Sequence, residues 1–291
     1  MNGQNLCQQR LASHHFVLKN NKAQGPDSIK NEYLKASLPL LLPVLNKTFN
    51  KIFESGNIPK DWTMGMIVPI YKKGDEKDPS NYRGITLLSC FSKLFTSIIN
   101  ARLTNFIDKN ELLLENQTGY RHGYSTMDHC FLLQNLIDIY KNSGKKLYCA
   151  FIDYKQAFDR VWRNGLWFKI SSMGIKGKLF DIIQNMYSNI KSCVTVDNVT
   201  GECFLSKIGV RQGENLSPML FSLYLNDLEN FFIVNENECL EYKYNICHRQ
   251  LYRGLWVTAD KREYRLRQRT IMKFDNVYST QTFNQTINLQ L

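Results

Sequence analysis

The sequence predicts an α+β fold in which helices pack on an antiparallel sheet. Stretches with helical periodicity outnumber short apolar, strand-like runs, and the strands are interspersed among the helices. The chain is also rich in core material: of 291 residues, 43% are hydrophobic and 12% aromatic, including 15 Tyr and 17 Phe. That bulk supports a sizeable core and excludes a mainly disordered chain. At about 150 residues per domain, the length suits two domains or one large enzyme domain.

Residues 1–24 are polar and predict a loosely ordered segment. The stretch 25–28 (GPDS) reads as a turn ending in a helix cap, because Gly and Pro break structure and Asp or Ser caps it. A helix follows to about Glu54, disturbed at Pro39 and Pro43 and closed by Gly56. The apolar run from Trp62 to Ile70 is short enough for a strand, and residues 71–83 (YKKGDEKDPSNYR) read as a charged loop. Leu94, Phe95, Ile98, Ile99, Leu103, Phe106 and Ile107 mark an amphipathic helix with Ser89 as its cap. Ser125 and Asp128 have capping-box spacing before Leu132, Leu133, Leu136, Ile137 and Tyr140.

Leu147 to Ile152 predicts a buried strand. Leu179, Phe180, Ile183, Met186, Tyr187 and Ile190 predict a helix. Val194 to Val210 reads as a hairpin around Asp197, Asn198 and Gly201. Ser217 and Pro218 form a cap followed by a first-turn proline, and a helix continues on Leu220, Phe221, Tyr224, Leu225, Leu228 and Phe231. Beyond about residue 235 the apolar face stops. Residues 261–269 (KREYRLRQR) hold five basic residues and one acidic one, read either as a solvated tail or as a nucleic-acid contact.

The formal net charge is +11, with a pI near 9.2. Such a balance favours a polyanionic partner, although a merely soluble basic protein has the same composition. The eight cysteines form no CxxC pair and sit mostly among apolar neighbours, which predicts reduced, buried thiols rather than a disulfide framework. The N-terminus shows no signal peptide, and no apolar stretch is long enough to span a bilayer. An intracellular location, nucleus or cytoplasm, is the expectation.

Two segments carry the chemistry. In LYCAFIDYKQAFDRV, Asp153 stands at a predicted strand end, where a rigid element would project a carboxylate into a cleft. Hard cations suit such a position, because Mg²⁺ is held by one or two carboxylates plus substrate phosphates. Asp159 follows after a turn, and both acids read equally as surface or capping residues. In GVRQGENLSPMLF, Gln212 offers donor and acceptor while Gly213 allows close backbone approach.

Taken together, these segments resemble the reverse transcriptases of non-LTR (LINE-type) retrotransposons. The resemblance runs from about Asn21 to Phe232 through five ordered motifs: NNKAQGPDSIKNEYLK, IVPIYKKGDEKDPSNYRGITLLS, ENQTGYRHGYSTMDH, FIDYKQAFD and GVRQGENLSP. It implies a right-hand polymerase, with fingers over about 25–146 and palm over about 147–235, followed by a divergent basic tail at 236–291. It further implies RNA-directed DNA polymerase activity, with RNA template, DNA primer and dNTPs as partners, two Mg²⁺ ions and no membrane. Asp153 would be the first metal-binding aspartate and Phe158 the bulky residue beneath the sugar. Gln212 and Gly213 would line the nucleotide and template pocket, and Arg83, with Lys73, would hold the triphosphate.

The chain departs from the family at one decisive place. The family completes its metal site with an Ala-Asp-Asp core on a palm hairpin, and no Asp-Asp pair follows Gln212 in this sequence. The later aspartates are Asp227, Asp260 and Asp275. Asp260, in Thr258-Ala259-Asp260-Lys261, is the one candidate for a further metal ligand, but it is followed by a cation. The palm is therefore expected to be incomplete, the chain truncated or degenerate on its C-terminal side, and polymerase activity absent. The alternative is a non-catalytic nucleic-acid-binding remnant of such a polymerase.

Overall fold

The computed structural model describes residues 18–115, 117–144, 148–154, 156–197, 199–228 and 253–258. Contacts divide the chain into two units. One joins Met1–Leu112 with Phe158–Leu223, and the other joins Leu113–Ala157 with Tyr224–Leu291.

The first unit opens on a turn closed by the Ser28 N–H on the Gly25 carbonyl at 3.0 Å, with the Asp27 carboxylate accepting from the Ile29 N–H. Asp27 is thus used within the turn and does not cap the helix. Helix α1 (Asn31–Ser55) starts after Lys30 without a side-chain cap and runs through Pro39 and Pro43. It ends at Gly56, whose N–H reaches the Ile52 carbonyl at 2.9 Å. Trp62 lies in a 3₁₀ turn (Lys60–Thr63) ahead of strand β1 (Met64–Tyr71).

Strand β2 (Tyr82–Leu87) begins inside the stretch expected to be loop. Arg83 and Gly84 interrupt its apolar alternation, so the strand was hidden in the sequence. Strands β4 (Lys191–Val196) and β5 (Val199–Leu205) form the expected hairpin, and the sheet order is β2-β1-β4-β5. The fold is α+β, as expected. The sheet, however, is mixed: β1 and β4 run parallel from Met64↔Lys191 to Ile67↔Val194. Parallel neighbours require a long crossover, and the many residues between these two strands supply it. The parallel ladder stops before Pro69, which has no N–H to contribute.

Helix α2 (Cys90–Lys109) is capped by the Ser89 side chain, as expected. It is buried on more than one face, with Ser92, Thr96 and Ser97 enclosed alongside Leu94, Phe95, Ile98, Ile99 and Leu103. Thr96 and Ser97 permit this because their hydroxyls bond within the helix, to the Lys93 carbonyl at 3.1 Å and the Leu94 carbonyl at 2.7 Å. Phe49, Trp62 and Phe95 pack with ring centroids 5.3 to 5.8 Å apart, joining α1, the 3₁₀ turn and α2.

The second unit contains helix α3 (Thr126–Asn142), with the expected Ser125–Asp128 capping box. It also contains strand β3 (Tyr148–Asp153), which ends on Asp153. The first unit resumes with α4 (Arg163–Ser172) and α5 (Lys178–Ser188). Helix α6 spans Ser217–Leu225, with Ser217 its first residue. Strand β6 (Arg253–Thr258) pairs with β3 in an antiparallel two-stranded sheet.

One expectation about the cysteines is corrected. Cys193 and Cys203 are joined in a disulfide. The hairpin register sets them opposite one another, and ten-residue spacing in sequence gives no sign of that. Cys90 is free and buried, as expected, whereas Cys130 is free and exposed.

Candidate active site

The residues named by the sequence divide between the two units. In the first, backbone hydrogen bonds gather several of them. The Thr86 N–H of β2 donates to the Gln212 carbonyl at 2.8 Å. That bond lays the Gln212–Gly213 loop on the strand that carries Arg83. Gly213 has φ +113°, and a Cβ there would lie 2.8 Å from the Thr86 carbonyl oxygen. No other residue type fits this approach without displacing backbone. The reading of Gly213 as a close-approach glycine therefore acquires a specific partner, which is β2 itself.

Two residues upstream, the Val210 N–H donates to the Phe158 carbonyl at 2.8 Å. The Phe158 side chain is 8% exposed. Its ring lies 5.3 Å from that of Phe221 on α6. Phe158 is accordingly a core aromatic on at least one face. Arg83 is half-buried on β2, opposite Ile70 of β1. Lys73 is exposed in the loop after β1. Its neighbour Lys72 is the lysine whose charge acts on Asp159. Partial burial of the Asp159 carboxyl raises its pKa, and Lys72 and Arg160 pull the other way.

Beneath the Gln212 loop lies a polar cluster that the sequence did not announce. Arg211 donates to the Trp62 carbonyl at 3.0 Å and the Met186 carbonyl at 3.3 Å, and stands 3.5 Å from Glu214. Glu214, 3% exposed, accepts a short hydrogen bond from the Tyr187 hydroxyl and a 3.3 Å bond from Ser217 Oγ. Arg163 donates to the carbonyls of Gly209 at 2.8 Å, Tyr187 at 2.9 Å and Ile208 at 3.0 Å. Burial lowers the Arg163 pKa to about 10, which still leaves it charged at neutral pH.

Burial, reinforced by Glu214, pushes the Tyr187 hydroxyl pKa well above its ordinary value. The cluster fastens both ends of the loop 208–214. No local signal marked this cluster, because Arg163 stands among Arg160, Asn164 and Lys169 as a surface charge would.

Asp153 belongs to the second unit. It is the last residue of β3, as the sequence predicted, and its register partner on β6 is Arg253. Asp227 falls in the turn after α6 rather than in the helix. Asp260 and Asp275 lie outside the described residues.

Residues 70–246, more than half of the chain, match the family described as reverse transcriptase (RNA-dependent DNA polymerase). The chain belongs to the reverse transcriptase family. The match extends past Phe232, where the resemblance read from the motifs stopped. Among curated relatives, the probable RNA-directed DNA polymerase from transposon BS of Drosophila melanogaster is 33% identical over 71% of this chain and 23% of its own. The corresponding protein of the X-element of the same species is 32% identical over 72% and 23%. That of mobile element jockey of Drosophila funebris is 30% identical over 73% and 23%. The chain thus spans about a quarter of the length of these relatives.

Solved structures agree on the fold. Apo telomerase from Candida tropicalis superimposes with a TM-score of 0.55 at 14% identity, over 85% of this chain and 48% of that one. Candida albicans telomerase, solved with a TWJ fragment of telomeric RNA, gives 0.52 at 14% identity, over 84% and 45%.

Reverse transcriptases generally use divalent metal ions. Among the described residues, no three His, Cys, Asp or Glu side chains come together in a way that could hold a metal. The position paired with Asp153 carries an arginine. Among the described residues, no helix is long and apolar enough to cross a membrane.

Proposed function

We propose that this chain is the fingers-and-palm portion of a retrotransposon RNA-directed DNA polymerase, that it binds an RNA template paired with a DNA primer, and that by itself it does not join nucleotides. The reaction of its class is attack of a primer 3′-hydroxyl on the α-phosphorus of a dNTP, with pyrophosphate leaving. Such chemistry relies on cations at both the attacking and the leaving oxygen. Mg²⁺ is the ion that suits carboxylates and phosphates together, and Asp153 alone supplies too few ligands for a pair of ions.

The observation that carries this reading is the bond from Thr86 to Gln212, which brackets the Gln212–Gly213 loop against the strand bearing Arg83. Within that bracket Arg83 suits bidentate contact with phosphate, with Lys73 as a second cation. Phe158 is assigned the sugar-facing position, and Asp153 the one metal-binding carboxylate. A nucleic-acid partner places the working chain in the nucleus or cytoplasm.

The test has two arms. Fluorescence anisotropy with an RNA–DNA duplex should show binding with little sequence preference, and log affinity should fall steeply with log salt as counterions are released. A primed RNA template with dNTPs and Mg²⁺ or Mn²⁺ should show no incorporation. A flat salt dependence would overturn the binding claim. Incorporation abolished by Asp153→Asn would overturn the claim of inactivity.

A further inference from the structure

The tip of the β1–β2 hairpin carries two tyrosines that the proposed reaction does not use. Tyr71 and Tyr82 are the last register pair of the ladder, and their rings lie 5.5 Å apart, tilted by 59°. Tyr71 is 41% exposed and Tyr82 is half-buried. We infer that this pair is a stacking platform for unpaired nucleobases, and that its occupant is the single-stranded part of the RNA template. The inference rests on the reading that the chain binds an RNA template paired with a DNA primer.

Both rings are held from the loop that joins the strands. The Tyr71 hydroxyl donates to the Gly74 carbonyl at 2.6 Å, and the Tyr82 hydroxyl to the Glu76 carbonyl at 2.9 Å. The loop is itself braced, by the Lys72 N–H on the Asn81 carbonyl and by Asn81 Nδ2 on the Asp75 carbonyl, each at 2.9 Å. Rings tethered in this way lose little freedom on binding, so ordering offsets little of the stacking.

Side chains alternate across a strand, and that alternation separates the pair from Arg83. A Cβ added at Gly84 would come 2.9 Å from Ile67 Cγ2, so Gly84 and Tyr82 share a face with Ile67, Pro69 and Tyr71. Arg83 projects to the other face, opposite Ile70. The incoming nucleotide, assigned to Arg83, is therefore not the ligand of the tyrosines. Bases within a duplex cover one another. An unpaired strand offers its base faces, and aromatic side chains take these whatever the sequence. The rim suits a polyanion. Lys72 and Lys77 are exposed, the loop's two aspartates accept from the backbone N–H groups of Lys77 and Ser80, and Glu76 is its remaining acid.

Fluorescence anisotropy with the full chain compares a blunt RNA–DNA duplex with one whose RNA strand has an unpaired 5′ extension. Wild type should bind the extended duplex at least about fivefold tighter, since stacking on an aromatic ring is worth about 5- to 150-fold per base. Tyr71→Ile combined with Tyr82→Val keeps strand-forming residues and removes both rings. It should erase the gain and leave blunt-duplex affinity unchanged, which also shows that the variant is folded. The ratio of wild-type to variant affinity for the extended duplex should not change with salt, because a ring neutralises no phosphate. In wild type, 4-thiouridine in the extension should crosslink to a peptide containing Tyr71 or Tyr82.

Equal affinity of wild type for the two duplexes would overturn the inference and leave the duplex reading intact. That is the result expected if the pair only secures the hairpin or receives a protein segment. A gain that survives loss of both rings, or crosslinks confined to other peptides, would refute it as well. Binding to neither duplex would end both readings.

Discussion

Replacing Gly213 with alanine tests the loop-on-strand arrangement directly. The φ of +113° is a conformation that L side chains rarely adopt, and the added Cβ would sit 2.8 Å from the Thr86 carbonyl oxygen. A backbone oxygen cannot rotate aside, so β2 or the loop must move, and the 2.8 Å bond from Thr86 to Gln212 weakens. Positive-φ strain is worth about 1–2 kcal/mol, and a lost backbone hydrogen bond about 0.5–1.5 kcal/mol. Against these, alanine stiffens the unfolded chain by about 0.4–1 kcal/mol. The net expectation is a loss of about 1–3 kcal/mol.

Gly174 provides the control. It has φ +83° with nothing within 4 Å of the Cβ position, so Gly174→Ala carries the strain without the collision and should cost at most about 1.5 kcal/mol. Urea unfolding of the two variants, fitted with a common m-value, measures the difference. If Gly213→Ala is no worse than Gly174→Ala, the loop does not rest on β2 as described.

Three further outcomes are expected. Tyr187 has a raised pKa, so above about pH 10 the unfolded state releases a proton that the folded state keeps, and stability falls as pH rises. Urea melts from about pH 8 to 11 should show a shallower fall in Tyr187→Phe. Truncating buried Phe158 to alanine should cost about 3–5 kcal/mol in the same melts, as for core aromatics generally; a loss below about 1 kcal/mol would mean that its packing on Phe221 is incidental. Breaking the Cys193–Cys203 bond, which closes a span of ten residues, with Cys203→Ser should cost about 2–3 kcal/mol under oxidising conditions. Under reducing conditions the variant and wild type should coincide.

The sequence was most legible where a local rule decides the outcome. The Ser125–Asp128 capping box, the Ser89 cap, the Gly56 stop and the strand ending at Asp153 all depend on residues within a few positions of one another. Pairings between distant segments were not legible. Nothing near Met64 indicates that β1 lies parallel to β4, and nothing near Arg253 indicates that β6 pairs with β3.

Within the candidate site, Gln212 and Gly213 were found by motif, but the cluster that holds them was missed. Arg163, Tyr187 and Glu214 lie far apart in sequence and meet only once α4, α5 and the loop are packed. The loss of the start of β2 to a supposed loop has the same origin, since pairing with Ile70 and Tyr71 gives Arg83 and Tyr82 a strand conformation that the charged run before them does not announce.

The parallel ladder between β1 and β4 also bears on how the chain emerges from a ribosome. Strand β1 can pair with β2 soon after synthesis, but its other edge waits for Lys191–Val194. At about 5–20 residues per second, the roughly 120 residues in between take about 6–24 s to make. Throughout that interval Met64 to Ile67 present an unpaired, mostly apolar edge, the kind of surface that recruits a second nascent strand. The gap is long beside hairpin formation, so slower translation lengthens the time for which this edge stands open.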